Sequence, residues 1–124
     1  IYKTLLMKIL FKIFLFIITI YLSFINIASA KNELLMVTDK NCIFCIVWEK
    51  EIGKIYPKTD IAKTYPLKRI EIKEFNKKTP MGLKKANVTP TFILIKNKKE
   101  KGIILGYSNP EMFWWRIDEI LELN

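Results

Sequence analysis

Glu33-Leu-Leu-Met-Val-Thr38, then Asp39-Lys40-Asn41, then Cys42-Ile43-Phe44-Cys45 join an apolar run, a polar turn and a cysteine pair without a break. The first segment is a short apolar run bounded by a polar turn, which reads as a buried strand. Asn41 is placed as the N-cap of a helix running from about Cys42 to Tyr56. Along it Cys45, Trp48, Ile52, Ile55 and Tyr56 form one apolar stripe. Pro57 is expected to end it. Cys42 and Cys45 are the only two cysteines of the chain. A CxxC pair between a strand and a helix is the pattern of a thiol–disulfide exchange site.

Val88-Thr89-Pro90-Thr91 comes about 45 residues later, just before a second apolar run. A Thr-Pro placed there can supply a cis-proline that faces a dithiol, since the cis form before proline costs only ~0.5–1 kcal/mol. It would leave the Thr89 main chain open to pair with a substrate strand and keep an N–H away from the sulfurs. The alternative is an ordinary trans proline opening an edge strand. Leu67 to Ile72 reads as a second strand with weak alternation. Lys73 to Asn87 is polar, holds Pro80 and Gly82, and allows at most a short helix. Lys58 to Pro66 reads as a loop or broken turn. Thr91 to Ile95 is a strand, Asn97-Lys-Lys-Glu100 a turn, and Gly102 to Leu105 the returning hairpin arm. Asn109-Pro110 sets a cap before a proline at the first helical position. The last helix then runs to about Leu123, with Met112 or Phe113, Ile117, Ile120 and Leu121 inward.

Strand–helix–strand followed by strand–strand–helix predicts an α/β fold. It has a four-stranded mixed sheet, order 2-1-3-4, with helices on both faces. This is the thioredoxin-like fold in minimal form. Cys42 lies only 12 residues beyond Ala30, which leaves no room for an additional first strand and helix.

Residues 1–30 are read as a separate segment. Lys3, Lys8 and Lys12 precede an apolar core from Ile13 to Ile27, and Ala28-Ser29-Ala30 is a small-x-small cleavage sequence. These are the parts of a secretory signal peptide, with Met7 as an alternative start. The uncharged core of about 15 residues is short for a spanning helix, which needs ~20. Cleavage is therefore expected, leaving one domain over 31–124 with no membrane span. The chain has 21 basic and 12 acidic residues; with three lysines in the leader, the domain keeps a net charge of +6. Its lysines are scattered and no Arg-rich stripe interleaves with aromatics, which argues against a nucleic-acid partner. They suit a solvated surface that could steer an acidic partner.

Export to an oxidising compartment permits a disulfide. Cysteines this close enclose too small a loop to contribute much as a staple, so the spacing favours chemistry. At a helix N-terminus a thiolate is stabilised by free N–H groups and the helix dipole. Cys42 is thus the nucleophile and Cys45, one turn inside, the resolving thiol. Ile43 and Phe44 carry no charge to stabilise that thiolate, which leans towards a reductant. Zinc usually needs four ligands and the chain has no histidine, so no metal or other cofactor is expected. Cu(I) on the dithiol is the chemically reasonable exception. Cysteine-protease chemistry lacks its histidine base. Trp48, Trp114 and Trp115 are assigned to core or groove lining.

The chain resembles the small periplasmic thioredoxin-like proteins encoded in bacterial sulfur-oxidation (Sox) clusters, over Glu33 to about Ile120. The resemblance rests on Cys42 and Cys45, on Trp48, and on Glu51-Ile-Gly-Lys-Ile-Tyr-Pro-Lys-Thr59. It continues through Pro66-Leu67, Thr89-Pro-Thr-Phe92, Gly106-Tyr107 and Phe113-Trp114. It implies a periplasmic thiol–disulfide oxidoreductase with Cys42 and Cys45 catalytic and Pro90 at the site. The partners implied are disulfide-containing periplasmic proteins, a sulfur carrier among them, with a membrane thiol-electron transporter as reductant. A monomer is expected. Ile43 stands where the family often has proline. Met36 stands near where thioredoxin proper has a buried carboxylate. An oxidase or isomerase, a secreted binding protein with an inert CxxC, and a copper carrier are the competing functions.

Overall fold

The computed structural model describes residues 1–24, 32–80 and 82–122. It divides into two compact units, 1–30 and 31–124. In the first, Tyr2–Phe24 is a single 23-residue helix, α1. It is long and apolar enough to cross a membrane, with a mean hydropathy of 2.3 over its best window, a property that signal sequences share. The small-x-small sequence at 28–30 lies outside the described residues.

The second unit is an α/β sandwich. Its elements are β1 (Glu33–Thr38), α2 (Ile43–Trp48), α3 (Asp60–Thr64), β2 (Leu67–Glu71), α4 (Ile72–Lys77), β3 (Thr91–Lys96), β4 (Lys99–Leu105) and α5 (Pro110–Glu122). The strand order is β2-β1-β3-β4, as expected from sequence. β1 pairs parallel with β2 and antiparallel with β3, and β3 and β4 form a hairpin. Alternate side chains of β1 and β3 enter two cores, so both strands are buried along nearly their whole length. Leu34, Met36, Phe92 and Leu94 join Trp48, Ile52, Phe113, Ile117 and Ile120 on one face. Leu35, Val37, Ile93 and Ile95 join Phe75 and Ala86 on the other.

The helix after the cysteines departs from expectation. α2 stops at Trp48 and passes into a π-helical turn, Glu49–Gly53, and then a 3-10 turn, Tyr56–Lys58. A π turn takes more residues than an α turn, which rotates the following side chains out of phase. Cys45, Trp48, Ile52 and Tyr56 stay buried, but Ile55 turns out to solvent. Pro57 sits inside the 3-10 turn instead of ending the helix. The loop expected over 58–66 contains α3, closed by a hydrogen bond from the Tyr56 hydroxyl to the Tyr65 carbonyl at 2.7 Å. Burial pushes that phenol well above its usual range. No local pattern announces this bond.

The hairpin is tighter than expected. Asn97 and Lys98 both take positive φ, so the turn is those two residues and β4 already begins at Lys99. α5 is capped as expected: Asn109 Oδ1 accepts the Met112 N–H at 2.9 Å. Phe113, Ile117 and Ile120 are its buried face, Leu121 packs partly against it, and Met112 is exposed.

α5 approaches β4 closely because Gly102 has no side chain. A Cβ there would lie 2.6 Å from Ile120 Cγ2. Gly102→Ala should therefore force α5 off the sheet and lower stability by about 1–3 kcal/mol. A fall in the urea midpoint at unchanged slope checks it.

Candidate active site at the Cys42–Cys45 pair

β1 leads through Asp39-Lys40-Asn41 directly to Cys42. Asn41 is not the cap: its N–H is engaged by Asp39 Oδ1 at 3.0 Å, and the Cys42 N–H donates to the Asp39 carbonyl. This turn passes the capping position to Cys42, whose backbone is extended. Cys42 Sγ itself accepts the Cys45 N–H at 3.1 Å. This bond aims a backbone N–H at the sulfur that starts the helix.

Cys42 and Cys45 form a disulfide with Cα atoms 5.2 Å apart. The two sulfurs differ in setting. Cys42 is partly exposed at the helix start. Cys45 is only 2% exposed and belongs to the core face with Met36, Trp48, Phe92 and Phe113. Ile43, Phe44 and Ile46 surround the pair as exposed apolar side chains on α2. Trp48 fixes α2 to the sheet through ring contacts with Phe92 at 5.0 Å and Phe113 at 5.6 Å.

The Thr89–Pro90 bond is cis. Pro90 is buried and Thr89 half-buried. Thr91 pairs with Val37, so Pro90 enters β3 at the end of the sheet where β1 exits towards Cys42. The Gly106 N–H donates to the Pro90 carbonyl at 2.8 Å, tying the end of β4 to it. Val88 and Leu105, both exposed, extend the apolar surface at this end of the sheet.

Several contacts around the site carry no signal in the sequence. Asn76 on α4 exchanges two hydrogen bonds with the Ala86 main chain, both 2.8 Å, and so clamps the segment that leads to Thr89 and Pro90. A lone Asn in a Lys-rich run gives no pattern to find. Glu49 in the π turn holds Arg69 of β2 with two contacts, 2.5 and 2.9 Å. Gly53 makes room for it, since a Cβ there would meet Glu49 Oε2 at 2.3 Å. The Tyr107 hydroxyl donates to Glu51, and partial burial with that bond raises the phenol's pKa. Both partners lie within the segments that carry the family resemblance, although their contact is not legible there.

A groove of about 530 Å³ runs between β4 and α5, lined by Ile103, Leu105, Tyr107, Met112, Phe113 and Arg116 among others. Neither cysteine lines it. Trp115 is exposed and lines a smaller one with Met112. Among the described residues no group of three or more His, Cys, Asp or Glu could hold a metal ion.

Two outcomes follow from these geometries. After reduction, Cys42 should react with iodoacetamide near neutral pH while Cys45 stays protected, read by mass spectrometry of tryptic peptides. Asn76→Ala should cost about 1–3 kcal/mol, because the Ala86 N–H and carbonyl lose their partner. Hydrogen exchange should show the loss of protection concentrated at Ala86.

No protein-family model matches the sequence, and no curated protein matches it. Solved structures do. The chain is similar to the periplasmic thioredoxin SoxS of Paracoccus pantotrophus, determined in its reduced form. Identity is 29%, the TM-score 0.66, and the match covers 74% of this chain and 97% of that one. It also matches Malassezia sympodialis thioredoxin (Mala s 13) at 15% identity and a TM-score of 0.57, covering 73% of this chain and 78% of that one. Fasciola hepatica thioredoxin matches at 15% and 0.54, covering 82% and 89%. The last two show the fold alone. Sheet order, CxxC placement and the SoxS likeness together make this chain a thioredoxin-like protein whose Cys42–Cys45 pair fits thiol–disulfide oxidoreductase chemistry.

Proposed function

We propose that the protein is exported, loses residues 1–30 and acts in the periplasm as a reductase of disulfides in partner proteins. The observation that carries this reading is the division of labour within the pair. Cys42 is partly exposed at a helix start with an N–H aimed at its sulfur, and Cys45 is buried within bonding reach. The Cys42 thiolate attacks a substrate disulfide and forms a mixed disulfide. Cys45 then attacks Cys42 Sγ, releases the reduced substrate and leaves the Cys42–Cys45 disulfide.

The setting suits a protein substrate. The sulfurs lie outside the groove between β4 and α5, beside exposed Ile43 and Phe44. The Thr89 main chain makes no hydrogen bond among the described residues, which leaves it open to an extended substrate strand. The periplasmic SoxS likeness and the apolar N-terminal helix support export. A sulfur-carrier protein as substrate and a membrane thiol transporter as electron donor are the partners proposed. The domain's charge of +6 would favour an acidic one.

Insulin reduction driven by a dithiol tests the activity, and Cys42→Ser should abolish it. The Cys42–Cys45 couple should equilibrate with glutathione nearer ~−270 mV than ~−120 mV, because Ile43 and Phe44 add no charge to stabilise the reduced form. A value near the upper figure would assign an oxidase instead. Cys45→Ala should trap the substrate on Cys42 in the host, where mass spectrometry identifies it.

A further inference from the structure

The free edge of the sheet changes character along β4. This strand stands last in the order β2-β1-β3-β4 and, among the described residues, pairs with β3 alone. Its outer side therefore offers main-chain groups to another strand. Towards the hairpin it is charged: Lys96, Lys98, Lys99 and Lys101 stand against the single acid Glu100. Charged residues guard an edge against unwanted pairing. Beyond Gly102 the guard stops, and Ile103 and Leu105 are apolar and exposed, Leu105 at 68%.

The groove between β4 and α5 lies along this unguarded half. Its lining runs without a gap from Ile103 to Ser108, so it follows the strand edge instead of one face of the sheet. Met112, Phe113 and Arg116 of α5 form the other wall. Phe113 is buried and Tyr107 is held by Glu51, which gives the groove a fixed floor. Trp115, 54% exposed, adjoins Met112 at the rim. Trp, Tyr, Met and Arg are the residues enriched where proteins bind one another.

Charge and position say what fits. Arg116 is the one charged side chain lining the groove among the described residues. Its guanidinium donates to Glu119 and, at a long 3.4 Å, to the Ile103 carbonyl, which leaves donors for a second carboxylate. From there the edge continues to the lysine-rich hairpin. Glu111 lines only the smaller hollow with Met112 and Trp115. At its other end the groove reaches the site: Gly106 holds the Pro90 carbonyl, and Leu105 pairs with Thr91.

Resting on the reductase reading, we infer that the β4 edge and α5 recognise an extended segment of the substrate protein outside its reacting disulfide. The segment is apolar where it lies against Ile103, Leu105, Met112 and Trp115, and acidic where it runs past Arg116 towards Lys101 and Lys99. It adds to β4 as a further strand, so main-chain bonds give affinity and the change from apolar to acidic sets register. A second copy of this chain fits worse, because each domain carries +6 and brings the same cations.

The test uses the protein as its host exports it, reduced with dithiothreitol and then freed of it. Each probe is a cysteine carrying thionitrobenzoate. One is that cysteine alone. Two others add, on either side through Gly-Ser linkers of graded length, a strand of alternating valine and threonine that ends in glutamates or in lysines. Attack by Cys42 releases thionitrobenzoate, and its appearance at limiting probe gives the second-order rate. At the best linker length the glutamate strand should react about tenfold faster than the lysine strand. Arg116→Gln should remove most of that preference, and Leu105→Ser and Trp115→Ser should slow both linked probes. Lys68→Gln, which removes a cation from β2 at the opposite edge of the sheet, should leave the preference intact. None of these variants should change the rate of the cysteine alone. Equal rates for the two strands at every length, a preference that survives Arg116→Gln or falls as far in Lys68→Gln, linked rates untouched by Leu105→Ser and Trp115→Ser, or a variant that slows the cysteine alone would overturn the inference. So would a dimer in sedimentation that Leu105→Ser separates, since the groove would then hold a second copy. No release from the cysteine alone would instead overturn the reductase reading.

Discussion

Trp48 packs its ring against Phe92 and Phe113 and so anchors the cysteine-bearing helix. It joins the helix that carries the cysteines to the central strand β3 and to the last helix α5. Phe92 and Phe113 also meet each other at 5.0 Å, so the three rings close a triangle. Aromatic side chains bury much area with few rotamers, which makes them effective at holding one element against two others. Cys45 sits one turn before Trp48 on the same helix face, so the same packing buries it and leaves Cys42 partly exposed.

The chemistry then depends on how the backbone enters that helix. A dithiol of this spacing is asymmetric only if one sulfur is at the helix start and the other in the core. The Asp39 turn secures this by taking the Asn41 N–H itself, so that Cys42 becomes the capping residue. The capping sulfur receives the very N–H that the second cysteine contributes. Fold and site therefore rest on one local geometry: the residue that caps the start of the helix is also the more exposed sulfur of the pair.

The segments that carry the resemblance to Sox-type thioredoxin-like proteins are scattered in the chain but converge in space. Tyr56 stacks on Trp114 at 6.1 Å with the rings nearly parallel. Glu51 accepts the Tyr107 hydroxyl, and Trp48 meets Phe113. The π turn brings this about. By delaying the helix it carries Tyr56 back to the buried side and sets Glu49 against Arg69 of β2. Such a turn recurs near functional sites because it re-aims side chains without breaking the backbone ladder.

The sheet order, its four strands, a cysteine pair where a helix starts and the proline before β3 are all legible in the sequence. These follow from short-range signals: apolar runs, turn residues, a cap, and a cysteine spacing with one chemical reading. Tertiary structure decided the rest. The move of the cap from Asn41 to Cys42, the exposure of Ile55, the helix over 60–64 and the Asn76–Ala86 clamp all depend on partners distant in sequence or on a competing local bond. A π turn has no residue signature comparable to a proline or a cap, so the stripe written for a straight helix fails there by one position. Gly53 and Gly102 are legible as glycines, but their reason is not. Only the folded chain shows Glu49 and Ile120 filling the space that a Cβ would take.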